Sequence, residues 1–237
     1  MRKLPQFENG EYYHIYNRGV DKCDLFKGPK ESARFLESMA AFNTVRPVGS
    51  LYELSFRDRK LIKADKKLVD IIAYCLNPNH FHLILKQLRK GGVSEFMKRL
   101  GAGYTCHINE KNKRVGALFA GSYKVKHITS NDHLLHLSAY VSLNYEVHGI
   151  KSPVIRSSWQ EYISIENIDQ LCNSRVILNQ FKSKQEYKKF AEEAIAHTAK
   201  QRKEDKEFNA MFIEHLGVKP PSALPPMSIQ GHITWGY

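Results

Sequence analysis

The chain has 237 residues, 42% of them apolar and 25% charged, which is ordinary for a globular protein and long enough for one good-sized domain with an appendage. No apolar run approaches the length of a membrane span, and the four cysteines Cys23, Cys75, Cys106 and Cys172 lack Cys-x-x-Cys spacing, which argues against a spanning helix, a structural zinc site and a disulfide framework. The net charge of +12 is the unusual quantity, and it points to a polyanionic partner, most often nucleic acid.

Tyr12 to Asn17 reads as a first strand, ended by Arg18-Gly19. Pro29 to Phe42 reads as a helix, with proline in its first turn and Phe35, Leu36, Met39 and Phe42 on one stripe. Leu51 to Phe56 is a second strand and Val69 to Leu76 a third. Asn77-Pro78-Asn79 then turns directly into a strand from His80 to Lys86. A helix starts near Ser94, a potential cap, and carries Phe96, Met97, Leu100 and Tyr104 at helical spacing. A basic, glycine-punctuated loop from Lys111 to Gly121 leads to a short strand, Tyr123 to Ile128. Ser130 or Asn131 caps the next helix, whose apolar face is Leu134, Leu135, Leu137, Val141 and Leu143, and Gly149 ends it. Ile177 to Phe181 and Lys184 to Leu216 are helical, the latter strongly charged. From Val218 a proline-containing tail lacks regular structure.

The order strand, helix, three strands, helix, strand, helix suggests an α+β fold. It would be a ferredoxin-like antiparallel sheet with helices packed on one face, one extra strand or helix, and a helical C-terminal extension. Met1-Arg-Lys-Leu-Pro is not followed by an apolar signal core, so a cytoplasmic location is expected.

The strand from His80 is the most informative element. His80 and His82 are two apart, so their imidazoles share one face while Phe81 points to the other. Two neutral imidazoles side by side form half of a divalent-cation site, and a pair of hydrogen-bonded core histidines is the plainer alternative. Between Lys86 and Lys126 the chain holds ten Lys or Arg and two acids, with Tyr104, Phe119 and Tyr123 among them. Cations that neutralise phosphates beside aromatics that stack on bases suit single-stranded nucleic acid. In the helix after Asn131, His136, Tyr140 and Asn144 follow one another at intervals of four and share one polar stripe.

Four stretches together carry a family resemblance: Tyr-His-Ile-Tyr-Asn-Arg-Gly at 13–19, Ala-Tyr-Cys-Leu-Asn-Pro-Asn-His-Phe-His-Leu at 73–83, Gly-Ala-Leu-Phe-Ala-Gly-Ser-Tyr-Lys at 116–124, and Leu-Leu-His-Leu-Ser-Ala-Tyr-Val-Ser-Leu-Asn at 134–144. In this order they resemble the single-tyrosine HUH transposases, closest to the REP-associated tyrosine transposases, over roughly residues 10–165 with weaker likeness to about 195. The resemblance implies an HUH nuclease domain over 1–160, and the residues beyond it read as a helical extension over 161–217 and an irregular tail over 218–237. It implies His80, His82 and Asn144 as ligands of Mg²⁺ or Mn²⁺, with Asn144 standing where insertion-sequence relatives usually carry Gln. Tyr140 would be the nucleophile, cutting single-stranded DNA beside a hairpin through a 5′-phosphotyrosine. Arg18, Lys113, Arg114, Lys124 and Lys126 are the candidate DNA contacts. The protein would act as a monomer or homodimer, away from membranes. Two departures stand out: Tyr145 follows Asn144 where many relatives carry Pro, and Ala139 precedes Tyr140 where many carry Arg.

Competing readings are a DNA-hairpin-binding protein that no longer cuts and a metal-dependent hydrolase using water. Tyr104 is the rival nucleophile, since it lies on a helix within the basic region. His136 is a surface histidine on the plain reading and a base towards Tyr140 on the other. A doubled His-x-Thr, at His127 to Thr129 and His232 to Thr234, imitates the two-histidine phosphoesterases. The charged stretch Lys182 to Lys206 contacts DNA, covers the site or is a solvated helix.

Overall fold

The computed structural model describes residues 6–46, 49, 66–164 and 171–216, with 202–216 as backbone alone. The strand predicted at Leu51 to Phe56 and the tail from Val218 lie outside the described residues.

Five antiparallel strands form one sheet in the order β4-β1-β3-β2-β5. They are β1 (Tyr12–Arg18), β2 (Val69–Asn77), β3 (His80–Gln87), β4 (Lys124–Ile128) and β5 (Arg156–Ser157). The two-residue edge strand β5 pairs with Cys75 and Leu76 and was not legible in the sequence. The helices are α1 (Pro29–Phe42), α2 (Gly92–Lys111), α3 (Asn131–Ser142), α4 (Asn144–Val147), α5 (Trp159–Ile163), α6 (Arg175–Leu178) and α7 (Lys184–Leu216).

The antiparallel sheet and packed helices match the expected α+β class, but the helices cover both faces rather than one. Tyr13, Ile15, Phe81, Leu83 and Leu85 point to one side, where Phe35 and Met39 of α1 and Phe96, Leu100 and Tyr104 of α2 close over them. Ile72, Ala73, Cys75 and Ile84 point to the other side, beneath Leu137, Tyr140 and Val141 of α3 and Tyr187, Ala191 and Ile195 of α7. The physical reason lies in β2 and β3. Their runs Ile71-Ile72-Ala73-Tyr74-Cys75-Leu76 and Phe81-His82-Leu83-Ile84-Leu85 are buried at every position. A strand buried at every position needs cover on both faces.

The register of β2 on β3 shifts once, between Ile71 and Ala73, so that Ile72 is an extra residue and both it and Ala73 serve the α3 side. From there Cys75 pairs with His82 and Asn77 with His80.

Two helix starts differ in kind. Ser130 caps α3 as predicted, its Oγ accepting from the His133 amide at 3.2 Å. Helix α2 starts two residues before Ser94. Gly91 takes a left-handed φ of 73°, and a Cβ on Gly92 would lie 2.3 Å from the Leu68 carbonyl oxygen. The Val93 amide donates instead to Oε1 of Gln87, a buried side chain at the end of β3. The cap thus comes from a residue distant in the local pattern.

Helix α7 buries one face over its first turns. Tyr187, Ala191 and Ile195 recur at intervals of four and are buried against α3, and the Tyr187 hydroxyl lies 3.1 Å from Ser138 Oγ. The four cysteines are free thiols. No helix among the described residues is long and apolar enough to cross a membrane.

Candidate active site

The α3 side of the sheet carries the chemistry. Cross-strand partners project to the same face, which defines three rows. Arg18, His80 and Asn77 form the first. Lys124, Tyr16, His82 and Cys75 form the second. Lys126, His14, Ile84 and Ala73 form the third. Phe81, between the two histidines, points to the opposite core as the alternation requires.

The neighbours of His80 fix its protonation. Its Nδ1 lies 2.7 Å from Oδ1 of Asn79, an acceptor, so Nδ1 carries the proton and donates. Its Nε2 then holds a lone pair, to which Nδ2 of Asn77 donates at 2.9 Å. The same Asn77 amide donates to Oδ1 of Asn144 at 2.7 Å. Nε2 of His80 and Oδ1 of Asn144 are 3.4 Å apart, and neither has a hydrogen to give the other. Two lone pairs therefore converge. Burial holds the His80 pKa below its ordinary value, with the Asn144 contact opposing, which favours the neutral ring.

His82 is buried, and its Nδ1 lies 2.9 Å from Nε2 of His14. His14, His82 and Tyr16 form a stack of rings with centroids 5.0–5.6 Å apart. Because His14 occupies Nδ1, a cation would be met by Nε2 of His82. His14 is held neutral: burial, then the charges of Lys126 and His133, take its pKa from 6.5 to about 3.

Tyr140 and Asn144 come to this face through a break. Leu143, at φ −112° and ψ 20°, ends α3, and Asn144 opens the one-turn α4. The single continuous helix of the sequence reading is therefore two. The Tyr140 ring is only 3% exposed and stands edge-on to His82, centroids 6.1 Å apart and planes at 87°. Asn144 is fully buried, and among the described residues its Nδ2 finds no hydrogen-bond partner. Turning the amide round would set that nitrogen against the Asn77 donor, so the network holds Oδ1 towards His80. A buried donor without a partner costs about 1–3 kcal/mol. Such a cost is characteristic of functional positions.

No group of three or more His, Cys, Asp or Glu side chains placed to hold a metal occurs among the described residues. Nε2 of His80 and Oδ1 of Asn144 meet instead, with the His82 ring 5.3 Å from that of His80 between centroids, an uncharged set. In the absence of an ion the Asn77 amide donates to both His80 Nε2 and Asn144 Oδ1, and a divalent cation held by these two acceptors would replace those hydrogen bonds, with an incoming anion balancing its charge.

The other sequence candidates separate cleanly. Arg18 and Lys124 are exposed and Lys126 half-buried, all on the histidine face. The Lys124 ammonium sits 5.8 Å from the Tyr16 ring centroid. Lys113 and Arg114 lie instead just past the end of α2, in the layer that covers the opposite face. The Arg114 guanidinium donates to Oδ1 of Asn109 at 2.9 Å and to the Ala117 carbonyl at 3.0 Å, which ties the loop together. Tyr104 is fully buried on that opposite side and donates to the Leu25 carbonyl at 2.8 Å, while burial raises its pKa. It is a core tyrosine. His136 is exposed and rests on the Phe190 ring of α7, 4.9 Å between centroids. His127 pairs with Glu11 at 2.9 Å on an exposed edge, and the second half of the His-x-Thr doublet lies outside the described residues.

Residues 55–144 match the family described as Transposase IS200 like, a span that includes His80, His82, Tyr140 and Asn144. Over those residues the chain is similar to IS200-like transposases, and its motifs resemble the HUH single-tyrosine type. A solved structure of a REP-associated tyrosine transposase bound to a REP hairpin is similar at 12% identity and a TM-score of 0.46, covering 73% of this chain and 93% of the other. No curated protein matches the sequence.

Three members of the polar network were not singled out from sequence: His14, Tyr16 and Asn77. A signal existed for the first two. In β1, His14, Tyr16 and Arg18 alternate with Tyr13, Ile15 and Asn17, which sets His14 and Tyr16 on one face, but nothing in the sequence shows which face meets β3's histidines.

Proposed function

We propose that this chain cleaves single-stranded DNA and transfers the cut strand through a covalent link to Tyr140. The observation that carries the reading is the meeting, within one chain, of Tyr140 with His82 and of His80 with Asn144 on the same face of the sheet. Binding alone needs no such convergence of a phenol with unprotonated ring nitrogens.

His80 through Nε2, His82 through Nε2 and Asn144 through Oδ1 would hold Mg²⁺ or Mn²⁺. When bound, such an ion polarises the phosphoryl oxygens and stabilises charge developing on them. The chain's own residues do the rest. Tyr140 Oη attacks phosphorus, giving up its proton. The bond from phosphorus to the 3′-oxygen breaks, and that oxygen takes a proton to become a free 3′-hydroxyl. The 5′-phosphate stays on Tyr140 until a 3′-hydroxyl reverses the step. Asn79 accepts from Nδ1 of His80 and so keeps its Nε2 unprotonated, and the Asn77 amide donates to that Nε2 while no ion is bound. Arg18, Lys124 and Lys126 neutralise flanking phosphates, and Tyr16 offers a ring face beside them. Tyr140 lies buried between α3 and the sheet, so the substrate is a flexible strand, beside a hairpin, rather than intact duplex. Because nucleophile and donors come from one copy, a monomer suffices.

Labelled single-stranded hairpin substrates, incubated with the protein and Mn²⁺, test this. A covalent adduct is expected that disappears in Tyr140→Phe and in EDTA. Hairpin binding with no adduct under any of these conditions would favour the non-cutting DNA-binding protein. Cleavage that survives Tyr140→Phe would favour a water-using hydrolase.

A further inference from the structure

His14 has no place in the reaction as described, yet it is 6% exposed, on the strand beside His82, and in direct contact with that ring. A buried imidazole is an unusual residue to set against another one. The pair shares one hydrogen bond, between Nε2 of His14 and Nδ1 of His82, and it admits two arrangements with opposite consequences. If His14 donates, Nδ1 of His82 is the acceptor and its proton sits on Nε2, which then has nothing to give a cation. If His82 donates from Nδ1, its Nε2 holds the lone pair.

We infer that His14 is a positioning residue: it accepts the Nδ1 proton of His82 and so fixes the tautomer in which His82 Nε2 presents its lone pair beside Tyr140. This rests on the reading of His80, His82 and Asn144 as cation ligands, and it gives His82 what Asn79 gives His80. In both rings Nδ1 lies against a neutral partner, which leaves Nε2 as the nitrogen for the site. A ligating histidine that donates its other nitrogen to a partner is the general pattern at metal centres, and losing the partner typically weakens metal binding about 10–100-fold. The acceptors here are uncharged, an amide and an imidazole, so neither adds a negative charge to the site. The stacking of His14 on both Tyr16 and His82 locks the acceptor in place.

The test starts with the full-length protein free of metal, with its imidazole nitrogens followed by ¹⁵N-correlated NMR. His82 is expected as the Nδ1–H tautomer. In His14→Phe, which keeps a ring and removes the acceptor, His82 should move to the Nε2–H form. Mn²⁺ affinity measured by calorimetry should then fall about 10–100-fold. In His14→Gln, whose amide oxygen can accept, both readouts should return most of the way. A wild-type His82 protonated on Nε2 would overturn the inference, and so would a His14→Phe variant that binds Mn²⁺ as tightly as wild type. The wild-type spectrum decides even where a variant folds poorly. If wild type binds no Mn²⁺ while the tautomer still follows residue 14, the hold of His14 on His82 stands and the cation reading falls.

Discussion

The two faces of one sheet have been put to different uses by the same strands. On the α1–α2 side, Phe81, Leu83, Leu85 and Ile15 meet Phe35, Phe96 and Tyr104 in an apolar core. On the α3 side, the alternate residues His80, His82, His14 and Asn77 are also largely shielded, but they bond to one another and to Asn144. The first face is held by area removed from water. The second adds to its own apolar core of Ile72, Ile84, Leu137 and Val141 a patch of directional bonds, and an error there leaves buried polar groups unpaired. Burial alone therefore does not separate core from site in this chain. The kind of neighbour does.

The largest expected effect separates the faces by function. Tyr140→Phe should abolish the covalent DNA adduct, and His80→Ala should reduce cleavage and Mn²⁺ binding to below about a hundredth of wild type, more than loss of a supporting residue costs. Thermal melts of both variants should stay near wild type. Tyr104→Phe, on the other face, should leave the adduct intact and cost about 1 kcal/mol through its lost hydrogen bond to Leu25. An adduct that follows Tyr104 would erase the distinction.

Stability should show the converse. Phe81→Ala removes a buried ring from the apolar face and should cost about 3–5 kcal/mol in denaturant unfolding. His14 makes a pH-dependent contribution from the polar face. Its folded pKa, about 3, lies below the unfolded 6.5, so the unfolded chain binds the extra proton as pH falls. That contribution is complete above pH 6.5 and is lost progressively towards pH 3. Melting temperature should drop across this window in wild type and more shallowly in His14→Phe. Equal slopes would mean that His14 is not buried as described.

The smallest effect concerns DNA and tests whether charge follows the face. Lys124→Ala with Lys126→Ala should flatten the salt dependence of single-strand binding by up to about 0.7 in log–log slope for each true phosphate contact. Lys113→Ala with Arg114→Ala should change it less, because Arg114 is already committed to Asn109 and Ala117. The reverse ranking would place the DNA path along the end of α2.

Much of the pattern was legible in the residues. The strand containing His80 and His82, the proline-started α1, the Ser130 cap and the long α7 follow from alternation, capping and helical periodicity. The opposed directions of His80 and Phe81 follow from strand geometry alone. What the sequence withheld was set by contacts between distant residues. The Gln87 cap of α2, the two-residue β5 and the clasp of Tyr187 on Ser138 have no local signal. The cover on both faces was written in the apolar runs Ile71 to Leu76 of β2 and Leu83 to Leu85 of β3, yet an order of elements does not say on which side of the sheet each helix falls. The break at Leu143 turned one expected stripe into two short helices, and the partnership of His14 with His82 needed the pairing of β1 with β3.

The extra residue at Ile72 has a consequence of parity. Counting by twos from Ile71, which lies on the apolar side, would set Cys75 and Asn77 on that side as well. The one-residue shift reverses the count, and Asn77 arrives opposite His80 instead. A strand that needs an apolar first half against one set of helices and a polar tip on the other face cannot be written with strict alternation. One inserted residue changes its phase. Deleting Ile72 would remove a single buried side chain and, with it, the sidedness of everything from Ala73 to the turn at Pro78.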